Sequence, residues 1–96
     1  MEVKATVSRM SLLVAQNFKK IRLHRGMTQA EVAKRLSVGT STVSKIELAY
    51  RANRIDTLQK YAEALGTDAY VLLVDDPRLF DDLLSELPPL REIGIK

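Results

Sequence analysis

The stretch "TQAEVAKRLSVGTSTVSKIE", residues 28–47, limits the fold of this chain more than any other. Thr28 and Glu31 stand at capping-box spacing, in which each side chain satisfies a free backbone amide of the other residue. Val32, Ala33 and Leu36 then form one buried stripe, and the helix they mark ends near Leu36 or Ser37. A second short helix can start from a cap at Gly39 or Thr40. Val43 and Ile46 face inward along it, joined by Val38 at the turn. Ala33 is predicted to sit where the two helices cross, because a larger side chain would push them apart.

Further elements flank this pair. From Ser11, Val14, Phe18 and Ile21 recur at spacings of four and three, with Lys19, Lys20, Arg22 and Arg25 around them. That is an amphipathic helix, and Gly26 suits its left-handed stop. Asp56 or Thr57 can begin "DTLQKYAEALG", which carries the stripe Leu58, Tyr61, Ala62 and Leu65 and closes at Gly66. Periodicity does not separate a buried strand from a helix in "AYVLLV", residues 69–74; a strand is the expected form. Asp76 before Pro77 reads as a cap with proline at the first helical position. The terminal helix "PRLFDDLLSEL" is predicted to bury Leu79, Phe80, Leu83, Leu84 and Leu87 and to stop at Pro88 and Pro89, with the last seven residues fraying. At the other end "EVKATV" alternates, so Val3, Ala5 and Val7 fit a short strand or a mobile arm carrying Lys4 and Arg9. The expected fold is mainly α: a compact helical bundle, a short C-terminal strand and a terminal helix.

The chain has 96 residues, which suits one core, and it has no cysteine, so disulfides and thiolate metal sites are excluded. "AYVLLV" is too short to span a bilayer, which takes about 20 residues. The first ten residues lack the apolar core of a signal peptide, so a cytoplasmic location is expected. His24 is the lone histidine and has no second ligand at suitable spacing, which leaves no metal site. No cofactor is called for. No glycine-rich phosphate loop and no carboxylate pair in a predicted cleft support an enzyme. Charge is uneven. Residues 1–66 hold twelve Lys or Arg against five Asp or Glu, and residues 67–96 hold three against seven. A basic front and an acidic end suggest a polyanion-binding part, residues 11–66, and an extension, residues 67–96, that dimerises or binds a partner.

Two short helices joined by a four-residue turn make the helix-turn-helix plan. Thr40, Ser41, Ser44, Lys45 and Leu48 fall on one stripe of the second of them, opposite Val43 and Ile46. A slim, small and polar stripe lets a helix enter the DNA major groove, where hydroxyls can meet base edges or phosphates and Lys45 can reach guanine O6 and N7.

At these residues the sequence resembles the Cro and repressor type of helix-turn-helix protein, the Xre family, from about Phe18 to Gly66. Gln29, Ala33, Val38, Val43, Ile46 and Glu47 match its pattern, followed by "RIDTLQKYAEALG". The resemblance implies a lambda-repressor-like DNA-binding domain and double-stranded DNA as partner. It assigns base contacts to Thr40, Ser41, Ser44 and Lys45, and phosphate contacts to Thr28, Gln29, Thr42, Arg51, Asn53 and Arg54. It makes Arg22 and Glu47 a structural ion pair. Two positions depart from the pattern: Ser37 stands where glycine is common and Gly39 where a capping serine is common. The function it implies is a repressor acting on a palindromic operator as a homodimer. The alternative is an antitoxin: "RIDTLQKYAEALG" and the apolar run after it are similar to the HigA-type antitoxins, which would add a toxin protein as partner.

Overall fold

Helix stops set the geometry of this chain. The computed structural model describes residues 8–49 and 54–89, and within them it contains five α-helices and one 3-10 helix. They are α1 (Arg9–His24), α2 (Gln29–Leu36), α3 (Thr40–Glu47), α4 (Ile55–Leu65), the 3-10 helix (Ala69–Leu73) and α5 (Pro77–Ser85). The alternating segment of residues 3–7 and the final seven residues lie outside the described residues.

α1 starts two residues before the apolar pattern, because the Ser8 hydroxyl accepts the Ser11 amide at 3.0 Å. It stops at Gly26 with φ 72°, and the Met27 amide returns to the Arg22 carbonyl at 3.0 Å. α2 opens on the expected capping box: Thr28 Oγ1 accepts the Glu31 amide at 3.0 Å and the Thr28 amide donates to Glu31 Oε1 at 2.7 Å. α2 ends in the same way as α1, with Ser37 left-handed at φ 60° and the Val38 amide on the Ala33 carbonyl at 3.0 Å. Serine therefore does there what glycine does elsewhere. α3 follows from Gly39, which contributes no side-chain bond to the cap. It ends at Ala49, a second non-glycine residue at positive φ, 62°.

α4 begins at Ile55, a residue or two before the acidic and hydroxyl starts expected from the sequence, with Arg54 as its cap residue. It stops at Gly66, φ 78°, where an added Cβ would lie 2.9 Å from Arg25 Nη1. No basic residue lies in the last turn of α4; two come from elsewhere instead. Arg25 Nη1 donates to the Gly66 carbonyl at 2.8 Å and Arg35 Nη1 to the Ala64 carbonyl at 3.3 Å. They satisfy carbonyls that the helix leaves open and place positive charge at its negative end. Arg25 is buried rather than solvated, and its Nε has no partner. Burial, and then the charge of Arg35, lower its pKa from the ordinary arginine value.

The core follows the stripes. Phe18, Ile21, Val32, Val43, Leu65 and Leu72 are its largest fully buried side chains. Phe18 and Tyr61 meet edge to face with centroids 5.3 Å apart. Val38 does not join them. It is 40% exposed, so Val43 and Ile46 alone anchor α3 from within.

Residues 69–73 correct the expected strand. A lone strand needs a neighbour for its amides and carbonyls, and the described residues offer none. The 3-10 helix supplies its own bonds, among them the Val71 amide to the Asp68 carbonyl at 3.0 Å. Buried Asn17 does the rest: its Nδ2 reaches the Leu72 carbonyl at 3.0 Å and the Val74 carbonyl at 2.9 Å. With three residues per turn, Tyr70 and Leu73 share the outer face while Val71 and Leu72 enter the core.

α5 is capped as expected, Asp76 Oδ1 accepting the Arg78 amide at 2.9 Å behind Pro77. Of its apolar residues only Phe80 is buried; Leu79 is exposed, and Leu83, Leu84 and Leu87 are half-buried. The segment lies beside α1. Arg9 pairs with Asp75 at 2.6 Å, the Lys20 ammonium stands 5.9 Å from the Phe80 ring centre, and His24 Nε2 lies 2.8 Å from the Leu87 carbonyl.

The left-handed Ser37 gives a direct test. Ser37→Gly is expected to raise the unfolding free energy by about 0.5–1 kcal/mol, since glycine has no Cβ to strain there. Urea unfolding measures it, and an unchanged or lower midpoint would contradict that origin of the strain.

Candidate nucleic-acid interface

Three helices meet at one carboxylate. Glu47, the last residue of α3, accepts Arg22 Nε at 2.5 Å and Arg22 Nη2 at 3.1 Å. It also accepts Gln29 Nε2 from the first residue of α2 at 3.0 Å. Arg22 uses Nη1 on the Met27 carbonyl at 2.9 Å, which fixes the bend between α1 and α2. The ionic side chains are 9% and 4% exposed, so water screens little of the attraction. A two-pronged guanidinium–carboxylate bond also fixes angle as well as distance.

Around this mount the site residues assigned by resemblance separate into two groups. Thr40, Ser41 and Lys45 are exposed and Ser44 is half-exposed, all on the side of α3 away from Val43 and Ile46. Thr42, half-buried, lies off that stripe. Thr28 is exposed; its oxygen accepts the Glu31 amide, and its hydroxyl hydrogen remains able to donate to an anion. Gln29 directs its amide nitrogen at Glu47, so it braces α3 whatever else it touches. Arg54 is exposed at the start of α4 and stands 3.9 Å from Asp56, a surface pair too open to restrain it. Arg51 and Asn53 lie outside the described residues.

The pattern is that of an exposed polar face on a rigid support. Its exposed edge carries hydroxyls and one ammonium, with further cations on the surface at Lys34 and Arg54. Sequence reasoning found the Arg22–Glu47 pair through family resemblance and missed Gln29 as its third member. Its signal was a glutamine one residue after a capping threonine, which places the side chain at the mouth of the helix. Among the described residues no group of three or more His, Cys, Asp or Glu could hold a metal ion, and no helix is long and apolar enough to cross a membrane.

Comparison with known proteins agrees with this geometry. The helix-turn-helix family HTH_3 matches residues 18–72. The antitoxin HigA1 of Mycobacterium tuberculosis is 40% identical over 73 residues, covering 76% of this chain and 41% of the relative. The chain thus spans about two fifths of the length of the curated relatives it matches. Among solved structures, a hypothetical transcription factor from Neisseria superposes with TM-score 0.66 at 23% identity, over 84% of this chain and 90% of that one. The restriction-modification controller protein C.Esp1396I, solved as a tetramer in complex with its natural 35 base-pair operator, gives TM-score 0.60 at 26% identity. That match covers 82% of this chain and 93% of the controller.

The mount can be tested through a double-mutant cycle. Glu47→Leu alone leaves Arg22 buried without a counter-charge and is expected to cost about 3–5 kcal/mol. Adding Arg22→Met is expected to recover a large part of that loss, because no charge then remains buried. Denaturant unfolding reads both. Losses that simply add would show that the two side chains are not coupled.

Proposed function

The chain belongs to the HTH_3 helix-turn-helix family, the Xre type of DNA-binding regulator, and on that footing we propose that it is a sequence-specific repressor that binds a palindromic operator as a homodimer. The exposed arc of α3 carries this proposal. It is narrow, faces away from Val43 and Ile46, and bears hydroxyls and one lysine while the buried ion pair beneath holds it still. Base edges in the major groove offer donors and acceptors that Thr40, Ser41, Ser44 and Lys45 can meet, Lys45 pairing best with guanine. Phosphate contacts come from Thr28 and Arg54, with Gln29 and Thr42 as neighbours of the same surface. Arg51 and Asn53 are assigned there on sequence grounds alone. Phosphates set register and supply affinity; the α3 arc supplies discrimination.

Dimerisation follows from the small size of that arc. A helix of eight residues makes few base contacts, each worth about 1–3 kcal/mol, so two copies are needed for useful selectivity. Two-fold symmetry places the half-sites about 10 base pairs apart. The segment 67–96, acidic and apolar by turns, is the proposed site of contact between copies. Occupation of an operator next to a promoter would repress it by excluding other proteins from the same duplex.

A second proposal rests on the 40% identity with HigA1. In it the chain is the antitoxin of a toxin–antitoxin pair and represses its own promoter, the acidic end covering a basic toxin. DNA chemistry is the same in both cases. Co-purification of a small basic protein encoded beside it would favour the antitoxin; its failure to bind any such neighbour would leave the free repressor.

Selection of bound sequences from random duplexes tests the central proposal. A two-fold symmetric motif is expected, and no enrichment at low ionic strength would refute it. On the selected site, Lys45→Ala is expected to weaken binding by about 1–3 kcal/mol and relax preference at one base pair in each half-site. Equal loss on all sequences would reduce Lys45 to a phosphate contact. Arg54→Ala is expected to weaken binding to every sequence and lower the slope of log K against log salt by about one per copy. An unchanged slope would remove Arg54 from the interface.

A further inference from the structure

Leu48 is the residue on the proposed reading face that hydrogen bonding does not explain. It follows Glu47 directly as the C-cap of α3, and its amide still donates to the Ser44 carbonyl at 3.1 Å, so its Cα lies on the helical path. At 3.6 residues per turn, Thr40, Ser44, Leu48, Ser41 and Lys45 succeed one another around an arc of about 140°, with Leu48 in its middle. It is 58% exposed, while its chain neighbour Ala49 turns into the core at a left-handed φ. A scattered surface leucine needs no special reason. This one stands in the centre of an arc otherwise made of threonine, serine and lysine, at the end of the helix that the Arg22–Glu47 pair immobilises.

We infer that Leu48 is a specificity-determining residue that reads the 5-methyl group of a thymine in each half-site. The inference rests on the DNA reading proposed for this arc and adds to it the identity of one base. The Leu48 side chain carries no polar atom, so it cannot hydrogen-bond to a phosphate or to a base edge. Within the major groove the apolar feature that distinguishes one base pair from another is the thymine methyl, and an aliphatic side chain is its natural partner. Contact with it would remove apolar surface on both partners from water. Cytosine carries only a hydrogen at C5, with an amino group at C4 where thymine has O4, so the same leucine would disfavour a C·G pair. Lys45, on the flank of the arc, would favour guanine, and the two residues together would favour a half-site containing both G and T.

The test uses the whole chain and a duplex obtained by selection with the wild-type protein. Each thymine of the half-site is replaced in turn by deoxyuridine, which removes the methyl group and leaves base pairing intact. Wild type is expected to lose about fourfold in affinity per half-site at one position, the worth of one buried methyl-sized group. Leu48→Ala is expected to bind the parent duplex more weakly and to show no difference between thymine and deoxyuridine there. Leu48→Met, which keeps an apolar side chain of similar volume, is expected to retain the discrimination. The proposal is overturned if no thymine position responds, or if Leu48→Ala discriminates at the same position as well as wild type does. It is also overturned if Leu48→Ala changes self-association by light scattering while leaving the methyl effect intact, which would place the leucine between copies. Should wild type select no sequence at all, the DNA reading fails first and this inference with it; a selected motif without a methyl effect removes only Leu48.

Discussion

The bond between Arg22 and Glu47 governs the arrangement of the first three helices. Glu47 ends α3, Arg22 lies near the end of α1, and Gln29 opens α2, so one carboxylate holds a residue of each. Such a pair adds little net stability, because removing two charges from water costs about as much as their attraction returns. Its contribution is directional. Val43 and Ile46 would let α3 slide or roll within an apolar core, whereas a forked guanidinium bond accepts only a narrow range of positions. An error of an ångström in α3 would misplace Thr40 and Lys45 together.

A similar use of charge closes α4. Arg25 and Arg35 leave α1 and α2 to meet the last carbonyls of α4, where the chain turns through Gly66. Arg25 is buried there, while Arg35 stays exposed beside the carbonyl it meets. The front two-thirds of the chain is basic, yet Arg22 and Arg25 are buried and have structural partners. Fewer cations are therefore free for polyanions than the sequence count suggests; Lys34, Arg35, Lys45 and Arg54 are among those exposed on the described surface.

Much of this was legible in the sequence wherever a local rule applied. The capping box at Thr28 and Glu31, the apolar stripes of α1 to α4 and the Asp76–Pro77 start need only neighbouring residues, and each is found. Ser37 stands where the family commonly has glycine, and the turn there is left-handed. Helix starts at Ser8 and Arg54 shifted by a residue or two, because cap geometry depends on how the preceding chain enters. Residues 69–74 were beyond local rules. An apolar run of six has no periodicity of its own, and two of its carbonyls are met by the Asn17 amide, more than fifty residues away in the chain. Val38 and Leu79 look like core by type and are exposed, since no element in the described structure covers them. At the site, hydroxyl spacing along α3 identified the exposed arc, while the brace from Gln29 to Glu47 required the fold to be known.

If a firmly mounted α3 edge is the surface that meets DNA, backbone amide shifts on titration with the selected duplex should locate it. The largest changes are expected at Thr40, Ser41, Ser44 and Lys45 and around the start of α2, with Phe80 and its neighbours on α5 unmoved. Strong changes confined to α4, the 3-10 helix and α5, with α3 silent, would contradict the assignment of α3 as the reading element.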